Sequence, residues 1–172
     1  FIKTWYTFSW WTYDGKHYVA GTELSRLASD NWSTVTFTAE WNVVPYTITY
    51  EYNNGTGSNP ETYQVDTPSF TLNNPTRKGY TFIWWSGTEL EGLDNTNVTI
   101  VIWSVGDREY EANWEANKYN VTYKANGGVW ADVIEQATYD VKYVFTGNKF
   151  TKTGYRFVEW NTKSDGTGTW YT

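Results

Sequence analysis

Arg77-Lys78-Gly79-Tyr80-Thr81-Phe82-Ile83-Trp84-Trp85 is one of three versions of the same stretch in this chain. Near the start stands Lys3-Thr4-Trp5-Tyr6-Thr7-Phe8-Ser9-Trp10-Trp11, and near the end Lys152-Thr153-Gly154-Tyr155-Arg156-Phe157-Val158-Glu159-Trp160. Each version opens on a basic residue and continues with a Tyr, a Phe and a Trp: Tyr6, Phe8 and Trp11; Tyr80, Phe82 and Trp85; Tyr155, Phe157 and Trp160. Tyr and Phe two positions apart fall on one face of a strand. The Trp breaks that alternation, which predicts a β-bulge or a strand end just before it. A stretch that recurs in this way marks a building block rather than an active site.

Outward from these copies the rest of the chain falls into register. The three Tyr residues, together with Trp41 and Trp114, recur with a period of about 73 to 75 residues. The opening strand of a unit reads Tyr46-Thr47-Ile48-Thr49-Tyr50 and again Tyr119-Asn120-Val121-Thr122-Tyr123, and the closing one Thr38-Ala39-Glu40-Trp41 and again Glu111-Ala112-Asn113-Trp114. The expected organisation is the C-terminal part of a first repeat over 1–44, a complete repeat over 45–117, and the N-terminal part of a third over 118–172. Phe1 falls inside a motif, and the third unit lacks the strand that Trp114 anchors in the second. Each end unit is therefore expected to carry an open sheet edge. Either the chain continues on both sides, or the partial units complete each other between molecules.

Within the first unit, Tyr13-Asp14-Gly15-Lys16 predicts a tight hairpin, because Asp-Gly supplies the positive φ such a turn demands. Glu23 to Ala28 predicts a short helix capped by Thr22. Thr34 to Trp41 alternates and is rich in β-branched residues, which predicts a strand. In the second unit, strands are expected over Tyr46–Tyr52, Glu61–Val65, Ser69–Leu72, Val98–Trp103 and Glu109–Trp114, with Ser104 to Asp107 joining the last two as a hairpin. In the third, Tyr119–Lys124, Tyr143–Phe145 and Tyr155–Trp160 read as strands, while Trp130 to Tyr139 is compatible with helix or extended chain.

Composition narrows the function classes. The 172 residues are 40% apolar and 20% aromatic, far too rich for a disordered chain, so a core is expected even in a small unit. The formal charge of −6 and the absence of any basic run argue against nucleic acid and anionic membrane surfaces as partners. No Cys is present, which excludes disulfides and thiolate metal sites. No stretch approaches the ~20 apolar residues of a membrane-spanning helix, so direct membrane insertion of this segment is not expected.

Taken together, these motifs resemble the Listeria–Bacteroides repeat, also called the internalin B-repeat, of bacterial surface proteins. The residues that carry the resemblance are Tyr119 to Gly128, Lys152 to Lys163, Asp165-Gly166-Thr167-Gly168, and the Ala-x-Trp endings at Ala39 and Trp41 and at Ala112 and Trp114. The resemblance covers essentially the whole chain. It implies a mainly β or α+β fold of tandem small β-grasp-like repeats with at most a short helix each. It also implies an extracellular setting on the bacterial surface, a spacer or adhesive role, no catalytic residues and no cofactor. The family pattern favours Gly where this chain has Trp5, Trp10, Trp32, Trp84 and Trp103, and within the chain Gly79 and Gly154 occupy the position of Trp5. A gene that uses UGA for glycine, decoded as Trp, would account for the exchange.

Trp10, Trp32, Trp84 and Trp103 are the candidate ligand-binding residues, since flat rings stack on sugar faces. Packing within and between aromatic-rich strands is the competing reading of the same residues. His17 stands alone, too little for a triad or an imidazole metal site, and reads as a solvated loop residue. Glu109 and Glu111 share a strand face, but a unit of this size offers little cleft for paired carboxylate chemistry. The Asn53–Asn59 and Asp165–Gly168 segments are turn chemistry without calcium-loop spacing. The expected function is a non-enzymatic structural or adhesive array. The alternative is a module that binds a host glycan or a host protein through exposed Trp residues, and neighbouring repeats or other copies are the remaining expected partners.

Overall fold

The structure is a computed structural model that describes every residue from Phe1 to Thr172. It contains thirteen β-strands and no helix, so the mainly β expectation holds and the α+β one does not. Two compact units divide the chain, one made of 1–76 and 82–113 and the other of 77–81 and 114–172.

In the first unit, β1 (Tyr6–Tyr13) and β2 (Lys16–Tyr18) form the predicted hairpin, with Tyr13 paired to Lys16 and positive φ at Asp14 and Gly15. Strand β3 (Thr38–Val43) closes on the other side of β1 and leaves a three-stranded sheet of order β2-β1-β3. The β1–β3 register slips between Phe8 and Trp10, the bulge that the broken aromatic alternation predicts. His17 lies within β2 and not in a loop, although it is exposed as expected.

The expected helix over Glu23 to Ala28 does not form. Thr22 bonds back to the Val19 carbonyl through both its backbone N–H and its hydroxyl, which uses the group that would have capped a helix. Arg26 has φ 59°, a value a right-handed helix cannot contain. The segment after it is irregular until Thr38, so the closing strand begins four residues later than its β-branched pattern suggests.

The middle repeat is built on β4 (Pro45–Glu51), β5 (Thr62–Gln64), β7 (Tyr80–Gly87) and β9 (Arg108–Ala116), in the order β5-β4-β9-β7. Strands β4 and β9 run parallel, with Ile48 beside Arg108 and Tyr50 beside Tyr110. Both alternate strictly where they pair. Ile48, Tyr110 and Ala112 turn inward while Thr47, Thr49, Glu109 and Glu111 turn to solvent. A second, two-stranded sheet pairs β6 (Phe70–Thr71) with β8 (Thr99–Ile100). Strands β8 and β9 therefore belong to different sheets, and the hairpin expected across Ser104 to Asp107 is instead a crossover. Asp107 pins it by accepting the Thr47 N–H at 2.8 Å.

Nine of the eleven buried apolar residues lie between Ile48 and Ala112, so this repeat alone holds a closed core. Trp85 is its centre, fully buried, with Tyr50, Tyr52, Phe82 and Tyr110 around the ring and its indole N–H donated to Asn74. Burial of that one ring contributes on the order of 3 kcal/mol.

In the second unit, β10 (Lys118–Tyr123) and β11 (Val133–Thr138) form a six-pair antiparallel ladder, which resolves the ambiguous Trp130–Tyr139 stretch as extended chain. Strands β12 (Trp160–Asn161) and β13 (Trp170–Tyr171) pair briefly. The strands expected over Tyr143–Phe145 and Tyr155–Trp160 are absent apart from Trp160 itself. In the middle repeat the equivalent strand, β7, is paired with β9, whereas no strand pairs with residues 155–159.

Candidate functional site

The three aromatic stretches enter the fold through the same local device. Lys3 to Tyr6, Arg77 to Tyr80 and Lys152 to Tyr155 each form a four-residue turn in which the Tyr N–H donates to the carbonyl of the basic residue, at 3.1, 3.2 and 3.0 Å. The basic side chain then folds over the Tyr ring: Lys3 Nζ 3.7 Å from the Tyr6 centroid, Arg77 Cζ 3.6 Å from Tyr80 and Lys152 Nζ 4.7 Å from Tyr155. The role of the basic residue at the head of each copy is thus to cap a ring. In the first two copies the carbonyl at the third turn position also accepts an N–H from the residue after the closing strand, Val44 on Trp5 and Asn117 on Gly79.

Of the four candidate ring residues, Trp32 is 93% exposed and Trp103 61% exposed. Trp10 and Trp84 are half-buried within β1 and β7. Trp10 stacks on His17 with centroids 4.6 Å apart, and its indole nitrogen is buried without a hydrogen-bond partner. The four lie on two different repeats and on four different segments: two strands, the chain before β3 and the crossover before β9.

The remaining polar constellation is centred on Arg108. It is buried, donating from Nε to the Tyr63 hydroxyl at 3.0 Å, and from one terminal nitrogen to Glu89 at 2.7 Å and the Tyr110 hydroxyl at 3.4 Å. Burial works against the charge, but the hydrogen bonds that Arg108 donates to Tyr63, Tyr110 and Glu89 outweigh it and hold the guanidinium firmly protonated. Tyr63 passes its own proton to the Gly106 carbonyl at 2.6 Å. The group is a closed network that ties β5, β9 and the crossover together, with Arg108 as its hub.

Two tyrosine hydroxyls are shifted upward. Tyr50 is raised by burial and by the neighbouring Tyr52, Tyr110 and Glu61, and it donates to the Pro60 carbonyl. Tyr143 is raised by burial and by hydrogen bonds with Glu135 and Tyr123. The strand-face carboxylates are engaged in turn geometry, with Glu51 accepting the Asn53 N–H and Glu111 the Asn53 side-chain amide. No group of three or more His, Cys, Asp or Glu side chains converges as a metal site would require.

A concavity of about 1230 Å³ lies in the second unit and is lined by Val121, Tyr123, Phe145, Phe157 and Trp160 among others. Val121 and Tyr123 correspond to Ile48 and Tyr50, which pair with β9 in the middle repeat. Phe157 and Trp160 correspond to Phe82 and Trp85 on β7. Residues whose counterparts lie on the strands flanking β9 in the middle repeat thus line this groove.

These features define an all-β tandem repeat protein in which a turn capped by a basic residue on a Tyr ring leads into each aromatic stretch. Residues 46–102 and 119–172 match the Listeria-Bacteroides repeat domain, and the chain belongs to that family. It is 26% identical over 163 residues to a protein of Evansella cellulosilytica named "Putative membrane protein", covering 88% of this chain and 24% of that protein. It is 31% identical over 107 residues to another from the same organism, named "Putative Gly-rich membrane protein", covering 57% of this chain and 12% of that one. The chain thus spans about a quarter or less of these relatives' lengths. No solved structure matches it.

Sequence reasoning missed Trp130, whose φ is 106°. Its position directly after Asn126-Gly127-Gly128-Val129, in turn-rich sequence, was the available signal.

Proposed function

We propose that this chain is a non-enzymatic repeat array, a stalk or spacer with adhesive capacity, in a protein of the bacterial cell envelope that faces outward. The observation that carries the reading is the use of the recurring aromatic residues. In the one repeat with a closed sheet, Tyr80, Phe82 and Trp85 are buried or half-buried, and the conspicuous Trp85 is wholly internal. Family membership and the names of the two relatives support an envelope setting. Linked units of this kind set reach, and many weak contacts along them sum to avidity.

The second reading, a glycan- or host-protein-binding module, is favoured by the exposure of Trp32 and Trp103. Titrating glycans while following Trp fluorescence separates the two, because a sugar stacked on an exposed ring must perturb its emission. The spacer reading predicts no saturable change, and equal retention on glycan columns for Trp10→Ala, Trp84→Ala and the unaltered chain. A saturable change abolished by substituting one of the four rings would replace it with the binding module.

A further inference from the structure

Four of the twelve tryptophans have positive φ: Trp5 at 65°, Trp32 at 66°, Trp103 at 75° and Trp130 at 106°. Only a few per cent of non-glycine residues adopt such values, and for a bulky side chain they are outliers. Three of the four occupy one and the same structural position. Trp5, Trp32 and Trp103 are each the third residue of a four-residue turn, closed by Tyr6 N–H on Lys3 O, Ser33 N–H on Asp30 O and Ser104 N–H on Val101 O. In each, only the third residue has positive φ, the pattern of a type II turn, and that position calls for glycine.

The chain supplies its own comparison. The turns equivalent to that of Trp5 carry Gly79 at 79° and Gly154 at 78°. At Gly79 even a Cβ would overlap the Tyr139 ring. Trp32-Ser33 and Trp103-Ser104 stand at the same step, the last turn before a closing strand, and share one backbone conformation in two different repeats. Elsewhere the third position of such turns holds Gly21, Glu89 or Asp140, never another aromatic residue. The buried or half-buried tryptophans of the strands behave differently: Trp41, Trp85, Trp114 and Trp160 all have ordinary φ.

We infer that the functional protein carries glycine at positions 5, 32, 103 and 130, from codons (UGA) that one translation rule reads as tryptophan and another as glycine. Trp10 and Trp84 fall outside this set, because their backbone is ordinary strand. The consequence for function is direct. Trp32 and Trp103, the two most exposed rings of the candidate binding set, are then absent from the protein in its own cell, and the surface they would offer to a glycan disappears.

Two readings of the native material test this. The codons at the four positions are expected to be UGA, with UGG at Trp41, Trp85, Trp114 and Trp160. Peptide mass spectrometry of the protein isolated from its own cells is expected to show glycine masses at all four positions. UGG at any of the four overturns the assignment there. UGA codons accompanied by tryptophan-mass peptides overturn the inference as a whole.

Discussion

At the scale of the residue, two tryptophans next to one another in sequence illustrate how little side-chain identity says without backbone geometry. Trp85 is fully buried and hydrogen-bonded through its indole N–H, while Trp84 is half-buried on the same strand. Trp103 differs from both, since its ring is largely exposed and its backbone is held at φ 75° by the turn and by donation of its N–H to Val65 O. A side chain at such a φ costs on the order of 1–3 kcal/mol, against roughly 0.5–1 kcal/mol for the extra chain entropy of glycine. In the chain as written, Trp103→Gly is therefore expected to stabilise by about 1 kcal/mol in urea unfolding, whereas Trp103→Ala, which keeps a Cβ, gains little. A loss of stability in the glycine variant would show that the ring is part of the packing.

At the scale of the element, the crossover between β8 and β9 shows what fixes the parallel pair. Asp107 lies at its end and is exposed, and the Thr47 N–H it accepts draws its carboxyl below the ordinary aspartate value of 3.8. A carboxylate depressed in the folded state adds stability above the unfolded pKa, and that stability is lost as pH falls through the folded value. Acid unfolding of the unaltered chain should therefore steepen below roughly pH 4. Asp107→Ala is expected to flatten that limb, with a smaller effect on stability once acid has protonated the carboxylate than at neutral pH. An identical acid limb in the variant would mean that the contact contributes nothing to the pairing of β4 with β9.

Strands whose partners lie nearby, or whose alternation is strict, were legible from residues alone: β4, β9 and the Asp14-Gly15 hairpin. The elements that could not be read depend on distant partners. Val98 to Trp103 looks like the first arm of a hairpin, yet Thr99 and Ile100 pair with Phe70 and Thr71 instead. Tyr155 to Trp160 has the pattern of β7, but a strand exists only when its neighbour does. The candidate rings were equally opaque, because a run such as Trp10-Trp11 does not announce which face is covered. The sign of φ at Trp32 and Trp103 became visible only once their turns were closed.

At the scale of the molecule, the segments 1–44, 45–117 and 118–172 differ in how much they bury more than in composition. The middle one has a four-stranded mixed sheet and nine buried apolar residues. The first has none buried, and the third has only Ala137 and Tyr123, the latter on the wall of an open groove. Local stability follows the density of buried contacts and paired backbone. Hydrogen exchange should therefore be slowest in β4 and β9 and fastest among Arg156 to Glu159, which form no strand. Joining a further copy of the Arg108–Ala116 sequence after Thr172 should slow exchange at Val121, Tyr123 and Phe157, because a closing strand then occupies the groove. Uniform protection across the three repeats would contradict this gradient.

If the recurring aromatic stretch is the core of a building block rather than a binding surface, Trp85 must matter far more to stability than Trp84. Chemical denaturation of Trp85→Ala and Trp84→Ala, side by side, tests it most directly. Trp85→Ala is expected to cost about 3–5 kcal/mol, as removal of a fully enclosed large ring does, and Trp84→Ala no more than about 1–2 kcal/mol. Equal losses, or a greater loss at Trp84, would contradict the account.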